Sequence, residues 1–282
     1  MLTKQGNRSV YKQVDHPVYG DHSMSLPLNA APKPVALASP ILELRQYTLK
    51  PGKRETLIDL FDANFIEGQE DAGMTIIGQF RDLDRPDMFV WLRGFDSMEA
   101  RKDALSAFYD GPIWRAHRDA ANATMIDSDD VLLLRPAWPN AGFNLSGAQR
   151  ADLNAGKKPI QNKPMAGILV IQIHHLKPGA VAGFASRYNG EAKPLMAMYG
   201  ARPLAALVTE HAENSFPRLP VRSGENVFVS VTAFDSAEAH ASHAATLGRS
   251  ADWQALRQRA EADFARPAET LRLTPTARSL LK

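Results

Sequence analysis

The tetrapeptide Leu-Lys-Pro-Gly occurs twice, at 49–52 and at 176–179, each time directly behind a β-like apolar stretch. A turn signal repeated behind the same kind of strand indicates one fold unit carried twice. Other landmarks keep the offset of 127 that separates Pro51 from Pro178: Ile41 corresponds to Ile168, and Gly73 to Gly200. From Phe95 to Phe234 the offset has grown to 139, and Phe95-Asp96-Ser97 matches Phe234-Asp235-Ser236. Glu99 then pairs with Glu238, Trp114 with Trp253 and Pro136 with Pro275. The difference is a 12-residue insertion in the second copy, placed by its proline content near Ser215–Gly224. Units this long form facing domains rather than a solenoid.

Each unit reads as β-α-β-β-α-β. Ile41–Leu49 alternates, with Leu42 and Leu44 on one face and Glu43, Arg45 and Tyr47 on the other. After the Pro51-Gly52 turn, Leu57, Leu60, Phe61 and Phe65 recur at helical spacing up to about Asp71, and Gly73 closes the helix. Strands at 75–80 and 88–95, a capped helix opening at Asp96-Ser97-Met98-Glu99 and broken near Gly111-Pro112, and a strand at 131–135 complete the unit. The second unit repeats this order with strands at 168–176, 204–208, 227–234 and 271–274, and its first helix, 180–199, is interrupted at Pro194. This is the ferredoxin-like order. Its sheet leaves one face uncovered, and two such sheets facing each other bury both. The expected fold is α+β: two ferredoxin-like units in tandem forming a pseudo-dimeric α/β barrel. The expected boundaries are a flexible leader at 1–40, unit one at 41–137, a Gly-, Asn- and Pro-rich linker at 138–165, and unit two at 166–276. Met24 is read as an alternative start.

Composition narrows the chemistry by exclusion. The 282 residues carry a formal net charge of only +2 and no long basic run, which gives nucleic-acid binding no electrostatic support. The chain has no cysteine, so disulfides, a thiolate nucleophile, Fe–S clusters and cysteine zinc sites are excluded. A cysteine-free chain suits a reducing compartment, and the expected localisation is cytoplasmic. Apolar stretches stop far short of the roughly 20 residues of a membrane span. A phosphate-binding glycine loop, a Gly-x-Ser-x-Gly elbow and a His-Glu-x-x-His run are missing from the sequence.

The run Glu43-Leu44-Arg45-Gln46-Tyr47-Thr48-Leu49-Lys50-Pro51-Gly52 resembles the NIPSNAP family, as do Phe95-Asp96-Ser97, Trp114 and the segment from Asp127 through Pro136. The resemblance covers about 41–136 and, more loosely, 166–275. It implies the dimeric α/β-barrel superfamily, which hosts cofactor-free monooxygenases, isomerases, cyclases and haem-binding proteins, so fold analogy alone names no reaction. The second copy departs from the motif: Glu43, Arg45 and Tyr47 become Val170, Gln172 and His174.

These positions are the candidate site. Glu43 and Arg45 share a strand face, and lining the barrel they would place a carboxylate base and an anion-binding guanidinium in a sheltered cavity. The alternative is a structural ion pair. His174 is the general acid/base candidate, because imidazole titrates near neutrality. Tyr47 and Gln172 are expected to contact substrate. No cofactor is expected; the alternative is haem ligated by His174. His175 is expected to pack on the helix side. His240 and His243 share a helical face and could hold a metal with His211, but no third ligand lies at a fixed spacing, and no metal is expected. Trp114 and Trp253 read as core anchors, and Asp127-Ser128-Asp129-Asp130 as a solvated turn. The expected activity is small-molecule binding with cofactor-independent oxidative or isomerase chemistry; the alternatives are haem binding and an interaction scaffold. A homodimer through the sheets is compatible with the pattern.

Overall fold

Short alternating runs rich in Val, Ile, Leu and Phe build eight strands, four from each unit. The computed structural model describes residues 39–153 and 167–282; the expected leader up to residue 38 and residues 154–166 of the expected linker lie outside that range. The first unit comprises β1 (Ile41–Leu49), α1 (Arg54–Asn64), α2 (Ile66–Asp71), β2 (Thr75–Asp82), β3 (Met88–Phe95), α3 (Met98–Tyr109), α4 (Pro112–Asn122) and β4 (Met125–Pro136). The second comprises β5 (Ile168–His175), α5 (Val181–Arg187), a π-helical turn (Tyr188–Ala192), α6 (Lys193–Met198), β6 (Arg202–Thr209), β7 (Val227–Phe234), α7 (Ala237–Leu247), α8 (Ala251–Glu261) and β8 (Glu269–Pro275).

Within each unit the strands lie in the order β4-β1-β3-β2 and β8-β5-β7-β6, all antiparallel. β2 pairs with β8 through Phe80–Asp82, and β4 with β6 through Leu134–Pro136, and these two short seams close the barrel. Both edges of each sheet are therefore used within one chain, and a homodimer would have to use other surfaces. The repeated turn chemistry is visible in the backbone. Gly52 and Gly179 follow their prolines at φ 74° and 81°, and Gly73 and Gly200 end their helices at 95° and 89°. The capping serines also recur: Ser97 accepts from the Ala100 amide and Ser236 from the Ala239 amide.

Four local expectations need correction. The first long helix bends at Phe65 into α1 and α2. The break in its counterpart is the π-helical turn, which ends before Pro194. Asp127–Asp130 is not a turn but part of β4, paired to β1 through Thr48↔Asp127 and Gln46↔Asp130. The start of the expected linker is also packed, since Phe143 is buried in the barrel interior.

The barrel interior is apolar. Leu42, Leu44, Ile171, Leu207, Val229 and Leu273 belong to one buried cluster drawn from both sheets. An eight-stranded barrel is just wide enough for its own side chains to fill it. The alternation in β1 is as the sequence reads, but the assignment of faces is reversed. Leu42 and Leu44 point to the axis, while Tyr47 belongs to the layer between the sheet and α1–α4. The expected cavity shared by the two sheets is thus replaced by packed hydrocarbon. Glu43 and Arg45 go to the helix side, where α3 and β3 bring them polar partners.

Gly200 has open space where a Cβ would stand, so Gly200→Ala tests the turn backbone alone. The left-handed penalty predicts a loss of about 1–2 kcal/mol in denaturant unfolding. An unchanged midpoint would mean that the turn adopts another conformation.

Candidate functional site

In the first unit, β1, β3 and α3 converge on one carboxylate. Glu43 faces Arg93 across the β1–β3 ladder and carries Arg45 two residues along its own strand. Glu43 Oε2 accepts from Arg45 Nη1 at 2.7 Å and from Arg93 Nε at 2.8 Å, and Oε1 accepts from Arg101 Nε at 2.7 Å. All four side chains are buried. Arg93 Nη1 also donates to Gln69 Oε1 (3.1 Å), and Arg45 Nε donates to the Tyr47 hydroxyl (3.0 Å). Arg45 and Arg93 pack on Trp91, at 5.5 and 5.0 Å from guanidinium carbon to ring centroid. Burial alone would raise the Glu43 carboxyl, but Arg93, Arg45 and Arg101 outweigh it and hold it far below the usual carboxylate range. A carboxylate held in this way does not take up a proton near neutral pH.

The matching layer of the second unit is built differently at every one of these positions. Glu43, Arg45 and Tyr47 correspond to Val170, Gln172 and His174; Trp91 and Arg93 to Ser230 and Thr232; Arg101 to His240. Each replacement is smaller, and the charges are gone. A cavity of about 600 Å³ lies here between β5, β7 and the helices, with Val170, Gln172, His174, Thr232 and His240 in its wall. The size fits a drug-sized ligand. The π-helical turn contributes Tyr188 and Ala192 to the same wall, and such turns recur at functional sites.

His174 sits in an aromatic frame. It stacks on Phe264 at 5.7 Å and 12°, and meets Phe184 at 5.1 Å. Its Nδ1 has no hydrogen-bond partner among the described residues. Burial, with a smaller contribution from His175, pulls its pKa down to about 4. The imidazole is therefore neutral at physiological pH, with polar capacity to offer a ligand. His243 is committed, with Nδ1 2.8 Å from the Tyr199 carbonyl, while His240 lies against Phe234. His211 lines a separate cleft beside Gly179. Among the described residues no group of three or more His, Asp or Glu side chains is placed to hold a metal ion.

The sequence candidates thus divide between two layers. Glu43, Arg45 and Tyr47 lie in the first, and Gln172 and His174 in the second, with a filled barrel between the two sheets. His175 does not pack on the helices. It has the parity of Ile171 and Ile173, and its ring bonds Glu269 (2.7 Å) and Arg266 (3.0 Å) in a polar network. Sequence reasoning missed Arg93 and Arg101. The signal for Arg93 was available, since it is the lone charge in the apolar strand Met88–Phe95. Arg101 becomes recognisable only once α3 is laid over the sheet.

Residues 42–138 match the family model for NIPSNAP. No curated protein matches the chain. An anthrone oxidase-like protein of known structure aligns over 86% of this chain and 94% of its own, at 14% identity and a TM-score of 0.53. A protein from Lactobacillus acidophilus NCFM, provisionally named a monooxygenase, aligns over 84% and 94% at 12% identity and a TM-score of 0.51. These likenesses establish the fold. A NIPSNAP family protein from Agrobacterium tumefaciens covers 44% of this chain and 97% of its own at 18% identity; its TM-score of 0.35 carries no argument. Among the described residues, no helix is long and apolar enough to cross a membrane.

Glu43→Gln would leave three buried guanidinia without a carboxylate, and a loss of about 3–5 kcal/mol is expected. Arg101→Met removes one charge from the surplus and should cost less. Urea unfolding of both variants checks the order, and a larger loss for Arg101→Met would refute it. Because the Glu43 pKa is depressed on folding, its contribution is full above the unfolded value and declines as pH falls below about 4. The stretch that matches the NIPSNAP family model, residues 42–138, forms one half of a single-chain barrel.

Proposed function

We propose that the protein binds a ring-containing, largely apolar small molecule in the cavity of its second unit, with His174 and Gln172 as its polar contacts. The observation that carries this reading is the paired difference between the layers. Six matched positions change from large or charged to smaller and uncharged, and five of them line the cavity. Chance packing defects do not collect in this way along one face of one sheet. The repeated element order further supports an origin by tandem duplication, with one copy kept as a rigid half and the other opened for a ligand.

The chemistry that fits best is oxidation of an enolisable ring by dioxygen without a cofactor; of the two fold neighbours, one is named an anthrone oxidase-like protein and the other provisionally a monooxygenase. A ring methylene beside a conjugated carbonyl system would lose two hydrogens and gain one oxygen atom from O₂, with the other leaving as water. The unprotonated His174 imidazole would take up the first proton, in a largely apolar cavity that stabilises the delocalised anion by ring contacts. Glu43, Arg45 and Tyr47 would serve the other layer and take no part in this step.

Anthrone in aerated buffer, followed by anthraquinone absorbance, is the direct test. Val170→Phe should fill the cavity and abolish binding while the protein remains folded. His174→Phe should retain binding but lower turnover by about 10²-fold or more. Turnover should be flat around neutral pH and fall only as the imidazole becomes protonated toward pH 4. Undiminished binding in Val170→Phe would sink the assignment. A haem Soret shift abolished by His174→Phe would replace it with the haem reading.

A further inference from the structure

The 12-residue insertion of the second unit has no part in the cavity above. It belongs to the connection between β6 and β7, and residues 214–222 lie across the first unit instead. Phe216 is buried in the first unit's sheet–helix layer, 6.1 Å from Tyr109. Ser215 Oγ donates to the Met98 carbonyl at 2.9 Å. Arg218 makes two hydrogen bonds to Asp110, at 2.8 and 3.0 Å, and Arg222 reaches Asp130 at 3.2 Å. The strap ends on the arginine cluster, where Asn214 Oδ1 and Ser215 Oγ accept from Arg101 Nη1 at 2.9 and 3.1 Å.

The cluster itself is out of balance. Three buried guanidinia meet one buried carboxylate, and the other acceptors, Gln69 Oε1, Asn214 Oδ1, Ser215 Oγ, the Tyr47 hydroxyl and the Ser128 carbonyl, are neutral. The carboxylates Asp110 and Asp130 are engaged by the strap's own Arg218 and Arg222. Arg101 Nη2 is buried and has no hydrogen-bond partner among the described residues. Its terminal edge, Nη1 with Nη2, is the fork that receives planar or tetrahedral oxyanions in two parallel hydrogen bonds. Here Nη1 is held by neutral oxygens from a surface segment and Nη2 by none. An anion on that edge would meet a net positive charge in a medium that screens it little.

We propose that the arginine cluster of the first unit is a binding site for a small oxyanion, phosphate or carboxylate, covered by the strap. Asn214 and Ser215 occupy the place of the ligand's oxygens, and binding displaces them. The strap therefore competes with the ligand, so weakening the strap strengthens binding. This goes beyond the cavity reading and uses the other layer of the barrel.

Isothermal titration of the full chain with sodium phosphate and with sodium acetate, chloride keeping ionic strength constant, tests it. The double variant Asn214→Ala/Ser215→Ala should bind at least one of these anions about tenfold more tightly than the unaltered protein, since hydrogen bonds to a charged group are being removed from the competitor. Arg101→Met in the strap-variant background should abolish the heat, and Arg101→Lys, which keeps the charge but not the fork, should weaken it. Preference for phosphate or for acetate identifies the ligand class. No saturable heat with either anion in the strap variant, or affinity equal to that of the unaltered protein, overturns the proposal whatever Arg101→Met does. Val170→Phe closes the other layer and separates the two readings: anion binding should persist there even where the ring ligand is lost.

Discussion

Closure of two four-stranded sheets on one dry interior is the constraint from which the rest of this structure follows. Once β2 meets β8 and β4 meets β6, the axis has room only for the side chains that point into it, and these are Leu, Ile, Val and Phe. Glu43, Arg45 and Arg93 of the first sheet, and Gln172 and His174 of the second, then face outward, into the layers under the helices. The chemistry of the molecule is thereby divided into two separate layers that cannot share a ligand.

The two layers solve the same burial problem in opposite ways. In the first, one carboxylate gathers three guanidinia, and Phe61 of α1 packs on Trp91 at 4.9 Å. Such an assembly is expensive to desolvate and holds together because Glu43 accepts from all three arginines. It fixes α3 to the sheet and gives the strap something to hold. In the second, Val170, Ser230 and Thr232 stand at the matching positions, and the released volume lies beside a neutral histidine in an aromatic frame. One half is a solid brace, and the other is hollow. Two units of the same strand order permit this division because each still completes the barrel for the other.

The NIPSNAP resemblance and the barrel were both readable from residues. A ten-residue strand-and-turn motif, two Leu-Lys-Pro-Gly turns and a recurring Ser-capped helix each follow from local chemistry, and local chemistry survives folding. The site was read only in part. Glu43, Arg45, Gln172 and His174 were found by their shared strand parity, yet they were assigned to one lumen. Parity says which residues share a face and is silent on which face is inside. His175 was misplaced for the same reason. Arg101, 58 residues from Glu43, could be joined to it only by docking α3 on the sheet.

By itself the sequence determined the element order, the turns, the caps and the duplication of pattern, because these depend on neighbours along the chain: a glycine at positive φ, a serine beside a free amide, an alternation of period two. Tertiary structure alone decided that the apolar face of each sheet turns inward, that three arginines converge on one carboxylate, that the cavity lies in the second unit, and that the insertion of one unit covers the cluster of the other. Those outcomes depend on which surfaces exclude water together, and that is settled only when distant segments meet.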